Sequence, residues 1–167
     1  MSQQQLVFDF AGADAVASWR SIDDRIMGGS SLSHPEYITG GGLRFRGMVS
    51  LDNGGGFASI RSPETNYALE SRDGLQLRVR GDGKRYRLGL RTDRFFDGIC
   101  YQAEFHPQAD AWVEITLPFS GFAPTHHGQR LSMAAPLDPG AIQSFGLFIA
   151  ERQAGPFQLD IAWIKAY

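Results

Sequence analysis

The densest set of reactive side chains lies in DDRIMGGSS, Asp23–Ser31, where two carboxylates, a guanidinium, a thioether and a Gly-Gly step share one short stretch. Asp24 is placed to cap or pair locally. Arg25 can grip a carboxylate in bidentate geometry, and Met27 can fill an irregular apolar gap. Gly28 and Gly29 open backbone angles closed to other residues, and Ser30 follows them. A catalytic loop, a ligand cradle and a pinned connection between strands all use such residues. Adjacent Asp23 and Asp24 are a poor arrangement for an acid and a base flanking a substrate. The reading favoured here is a connection held by its own chemistry, with a binding rim as its functional counterpart.

The rest of the chain adds little catalytic chemistry. DNGGG, which includes Asn53, is glycine-rich, but it precedes a strand rather than the helix a phosphate cradle needs, so it reads as a turn or bulge. His126 and His127 are adjacent, with His34 and His106 apart from them, and no pair has metal-ligand spacing. Glu104 and Glu114 are surrounded by arginines, which lower a carboxylate's pKa rather than raise it for acid catalysis. Cys100 is the lone cysteine, which excludes an internal disulfide, and its apolar neighbours mark it as a small buried hydrophobe. There is no G-x-S-x-G elbow and no Walker or Rossmann fingerprint. The expectation is a non-enzyme without cofactor or metal.

The elements that must position these residues are strands. Twenty glycines and eight prolines punctuate short alternating runs, the pattern of a β-sandwich or barrel. Expected strands are Leu6–Phe10, Gly42–Leu51, Phe57–Ser62, Leu75–Gly81, Tyr86–Asp93, Ile99–Phe105, Ala111–Phe119, Ser144–Glu151 and Phe157–Tyr167. Asp14–Arg20 suits one helical turn, and Gly121–Gly140 reads as a long loop. DGKR, HPQAD and RQAGP read as hairpin turns. Alternation places Leu75, Leu77, Val79, Tyr86, Leu88 and Leu90 inward. It sets Arg78, Arg80, Arg87, Arg91, Glu104 and Glu114 together on one polar face. That face reads either as a solvated sheet with cross-strand ion pairs or as a concave surface for a sugar or an anion. Trp112, Phe95 and Phe96 are the aromatic platforms a sugar would use.

Composition sets the class. Hydrophobic residues make up 43%, charged residues 20%, and net charge is −2; these are ordinary values for a folded domain. No basic stripe points to nucleic acid, and no apolar run suits a transmembrane segment. Residues 1–167 read as one domain. MSQQQLVFDF has neither a basic n-region nor an Arg-rich amphipathic helix, so the expected location is cytoplasmic.

A multi-block pattern then carries a resemblance. Trp19 precedes Asp24, Met27, Gly28, Gly29 and Ser30. Next come Phe45, Gly47, Val49, Ser50 and Leu51, then Asn53 and Gly54–Gly56, then Phe57, Ala58, Ser59 and Arg61. Gly81, Asp82, Gly83, Lys84 and Tyr86 follow. From about Phe8 to Ala166 the sequence resembles the complex I intermediate-associated protein 30 family. The resemblance implies a galactose-binding-like jelly-roll sandwich. It also implies a non-enzymatic binding or assembly-factor role, in which a protein partner such as a respiratory-complex subunit is held. This chain would then be a bacterial relative with its own partner. Its implied binding or structural loop comprises Asp24, Arg25, Met27, Gly28, Gly29, Ser30, Asn53, Arg61 and Asp82. A carbohydrate-binding module is the alternative.

Overall fold

The apolar positions that alternate along the sequence become the inward faces of two antiparallel sheets. The structure is a computed structural model that describes residues 3–22, 32–52, 56–95 and 98–167. In chain order its elements are β1 (Gln5–Asp9), α1 (Ala13–Ala17), β2 (Arg20–Ser21), β3 (Leu32–Tyr37), β4 (Leu43–Val49), β5 (Ala58–Arg61), β6 (Gly74–Arg80) and β7 (Tyr86–Arg91). There follow β8 (Cys100–Phe105), β9 (Trp112–Pro118), β10 (Ala123–His126), β11 (Gln129–Arg130), β12 (Ser144–Ile149) and β13 (Gly155–Ala166). One sheet runs β3-β4-β13-β6-β9, with β1 beside the far half of β13; the other runs β11-β10-β8-β7-β12-β5-β2. This is the expected all-β jelly-roll sandwich.

The three expected hairpins do not form. β6 and β7, β8 and β9, and β12 and β13 each lie in opposite sheets. DGKR, HPQAD and RQAGP therefore cross the sandwich edge. Apolar alternation is equally satisfied when consecutive strands face each other across a core or lie side by side, so the period alone could not distinguish the two. At the first crossing Gly81 bridges to Ala109, and Asp82 accepts a hydrogen bond from the Gln158 amide of β13 at 2.8 Å. Neither contact is local in sequence. The expected loop Gly121–Gly140 contains β10 and β11, and β3 was also not anticipated. Pro35 and Pro124 hid these strands; β3 is an edge strand, where proline costs no interior ladder bond.

Gly47 shows why the F-x-G-x-V pattern needs its glycine. It pairs with Ser33, and a Cβ there would stand 1.9 Å from the Leu32 carbonyl oxygen. Only a residue without a side chain lets β3 approach β4 that closely.

Rings from both sheets meet in the core. Phe45 and Phe157 touch edge to face with centroids 4.9 Å apart, and Tyr86 from the facing sheet lies 6.4 Å from Phe45. A second group forms where Phe8 packs edge-on against Trp19 and Phe145, each at 5.1 Å. Each such buried side chain contributes about 1.5–3 kcal/mol. Trp19, read as part of the motif, is thus a core residue.

Candidate functional site

The predicted polar face is two faces. Arg78, Arg80 and Glu114 lie on the outer surface of the six-stranded sheet, whereas Arg87, Arg91 and Glu104 lie on the outer surface of the seven-stranded sheet. The whole core separates them, because β7 and β8 cross to the opposite layer. Among the loop candidates, Asp24, Arg25, Met27, Gly28, Gly29, Ser30 and Asn53 lie outside the described residues, as does Phe96.

Arg61 is buried in β5 with Arg20 as its register partner. Burial first, and the charge of Arg91 second, pull its guanidinium down to about 10. Arg91 donates to the Gly98 carbonyl at 3.0 Å. Asp82 is a structural tie: its carboxylate accepts from the Lys84 amide at 3.1 Å, the Tyr86 hydroxyl at 2.9 Å and the Gln158 amide at 2.8 Å.

On the seven-stranded sheet, Arg87 stands opposite Glu104 but bonds to Glu151, which Arg85 also meets at 3.0 Å. Burial alone would push the Glu151 carboxyl up, yet the Arg87 hydrogen bond and the two guanidinium charges hold it below its ordinary 4.5. A depressed carboxyl pKa adds stability above that ordinary value and loses it as pH falls through the folded one. Glu151→Gln should therefore cost under about 1 kcal/mol at pH 7. In urea titrations the difference from wild type should close below pH 4.5. Cys100 is buried, which pushes its thiol up and leaves it inert. His126 and His127 lie side by side at the end of β10. Positive φ at His127 stacks the rings 4.2 Å apart.

The six-stranded sheet carries the richer surface, and most of it was missed in the sequence. Asp160, 1% exposed, sits at its centre. Arg44 reaches it through Nε at 2.8 Å and Nη2 at 3.2 Å, and Arg80 through Nη2 at 2.7 Å and Nε at 3.0 Å. The hydrogen bond to Asp160 raises the Arg44 pKa against the opposing pull of burial. The row continues outward, since Arg80 stacks at 4.8 Å over Trp112, its register partner on β9. Arg78 lies 5.6 Å from the same ring, and Lys165 lies 4.2 Å over Trp163. Toward β3, Glu36 accepts from Arg46 at 2.7 Å, with His34 at 3.5 Å. A single Asp inside the apolar run FQLDIAWI was the available signal, because a carboxylate in a buried strand requires cationic partners.

Beside this row opens a cleft of about 760 Å³, lined by His34, Glu36, Arg46 and Gln158 on its polar side and Leu32, Met48 and Pro156 on its apolar lip. Leu32 and Met48 are register partners and half exposed. The arrangement offers planar hydrogen-bonding groups beside apolar and aromatic surface, the general make-up of a ligand cleft. Among the described residues no cluster of His, Cys, Asp and Glu could hold a metal ion. No helix among them is long and apolar enough to cross a membrane.

The family model of complex I intermediate-associated protein 30 matches residues 8–161. This chain belongs to that family. The mitochondrial complex I intermediate-associated protein 30 of Drosophila melanogaster is 27% identical over 97% of this chain, which spans 62% of the fly protein. Its counterpart in Mus musculus is 25% identical over the whole chain, which spans 57% of the mouse protein. Among solved structures, the family 11 carbohydrate-binding module of the Clostridium thermocellum cellulase Lic26A-Cel5E superposes with a TM-score of 0.78 at 19% identity, covering 99% of this chain and 95% of the module. The module from that organism in complex with a β-1,3-1,4-mixed-linked tetrasaccharide gives 0.72 at 20% identity, covering 98% of this chain and 94% of that one. These likenesses establish the sandwich.

The expected cytoplasmic location is overturned. The fly, mouse and Neurospora crassa relatives are mitochondrial by name. The expectation rested on the first ten residues, and an address is physically separable from the fold that the relatives share.

Proposed function

We propose that residues 1–167 act as a single binding unit that takes an extended glycan chain across the outer face of the six-stranded sheet. The observation that carries this reading is one continuous outer face: the cleft presents the planar polar groups of Arg46, Gln158, His34 and Glu36 on the β3 side, and the indole of Trp112 lies on the far edge strand β9 of the same sheet. The matching of nearly the whole fold to carbohydrate-binding modules supports it. The cations over the indoles do not close the platform. An exposed cation–π contact contributes only about 0.5–1 kcal/mol, less than a ring stacking on indole gains from burying its apolar face.

Calorimetric titration with a panel of oligosaccharides tests the reading. Binding should be saturable, and Trp112→Ala and Arg46→Ala should each weaken it by about tenfold, or 1.4 kcal/mol. An absence of heat across the panel would remove the glycan.

Family membership and the exposed apolar lip of Leu32 and Met48 favour a second reading. In it the same face holds a protein partner, in the manner of an assembly factor. Pull-down from a respiratory-membrane extract that recovers one protein, lost with Met48→Glu, would establish this second reading in place of the first.

A further inference from the structure

We propose that the ligand of this face is an acidic oligosaccharide, its anionic groups held by the cations seated beside Trp112 and Trp163; the inference deepens the glycan reading and rests on it. The charge arrangement points to it. Glu36 offsets Arg46, and the single carboxylate of Asp160 lies between two guanidiniums, leaving one positive charge in excess. Arg78 has only Glu114 opposite it in register, with no ion pair formed among the described residues, and Lys165 has no carboxylate partner there. Asp9 on β1, opposite Trp163 in register, adds one more carboxylate, so the face carries one positive charge in excess while the whole chain carries −2. Its positive character is local and opposes the sign of the molecule.

The position of the unpaired cations matters as much as their number. Arg78 and Lys165 each lie over an indole, at 5.6 and 4.2 Å. Trp163 stands opposite Arg78 in register, and Trp112 stands beside it on β9. The two indoles flank β6, two strand spacings or about 10 Å apart. Each pairs a flat apolar surface with a partly hydrated positive charge. A neutral sugar that covers either ring must strip water from the neighbouring cation and gives it only neutral acceptors. A uronate or sulfated sugar lays its ring on the indole edge and supplies the cation with a charge-assisted bond, roughly twice as strong as a neutral one. The paired Asp160 unit cannot serve this way, since its guanidiniums are already turned inward to a buried carboxylate.

The test is calorimetry on the full chain with length-matched oligosaccharides of three kinds: neutral β-glucan, oligouronate and sulfated galactan. Each is run at about 20 and 200 mM salt, which brackets the change from weak to strong screening. An acidic chain should bind at least about tenfold tighter than the neutral one at low salt, and the margin should shrink at high salt. Whichever acidic chain is preferred identifies the anionic group. Arg78→Gln and Lys165→Gln should each cut the preference to about threefold or less, mainly through weaker binding of the acidic chain, with the urea midpoint unchanged. Equal or tighter, salt-independent binding of the neutral chain would overturn the acidic assignment and leave the glycan reading standing. No binding by any of the three would overturn both.

Discussion

Asp160→Ala should destabilise the protein by about 3 kcal/mol, the low end of the cost of breaking a buried ion pair from one side. The carboxylate is 1% exposed and holds two arginines through four hydrogen bonds. Its removal leaves two guanidiniums facing each other with no acceptor between them. The cost stays at the low end because Arg44 and Arg80 remain 27% and 33% exposed and keep part of their hydration. For a chain of this size such a loss lowers Tm by roughly 6–12 °C. The charge is required only because its partners are charged. Replacing all three together, Arg44→Met, Asp160→Leu and Arg80→Met, should restore stability to within about 1 kcal/mol of wild type. Urea denaturation of the single and triple variants checks both statements. An Asp160→Ala protein that loses under 1 kcal/mol would show that the triad is solvated in solution.

Tyr86 sets the second large effect, at alkaline pH. The ring is fully buried and its hydroxyl donates to Asp82 at 2.9 Å. Burial first, then the neighbouring Asp82 charge, drives its pKa far above the ordinary 10.0. Above pH 10 the unfolded chain releases this proton and the folded chain keeps it, so the unfolded state binds fewer protons. Stability present below pH 10 is then lost with rising pH, at about 1.4 kcal/mol per pH unit for one proton. Tyr86→Phe should abolish that component of the slope, at a cost of about 1 kcal/mol near neutrality for the lost hydrogen bond. Asp82→Ala should cost more, about 2–4 kcal/mol, because it strands the buried hydroxyl and two backbone amides at once. Guanidinium titrations between pH 8 and 11 separate the variants; an unchanged alkaline slope in Tyr86→Phe would assign the loss to another group.

Parts of the candidate site were legible before the fold was known. Arg78, Arg80 and Glu114 alternate with core residues and do lie on one outer face. Asp82 stood in a recognisable turn, although its bonds to Tyr86 and Gln158 were not readable, since one of them spans 76 residues. Asp160 was visible only as an anomaly in an apolar run. Its partners Arg44 and Arg80 come from strands on either side of β13, far apart in the sequence. The cleft was invisible for the same reason: β3 contributes Leu32 and His34 across from β4, and β13 contributes Gln158.

Local chemistry therefore determined which side of each strand is dry. Side chains alternate at every residue of a strand whatever its neighbours do, so Leu75, Leu77, Val79, Tyr86, Leu88 and Leu90 were readable as core and are fully buried. The same alternation cannot say which sheet a strand joins, because pairing is made by backbone groups common to all residues. That choice was left to the packing of the whole chain. It sent β7 and β8 to one layer and β6 and β9 to the other, and so moved Arg87, Arg91 and Glu104 to the opposite side of the molecule from Arg78, Arg80 and Glu114.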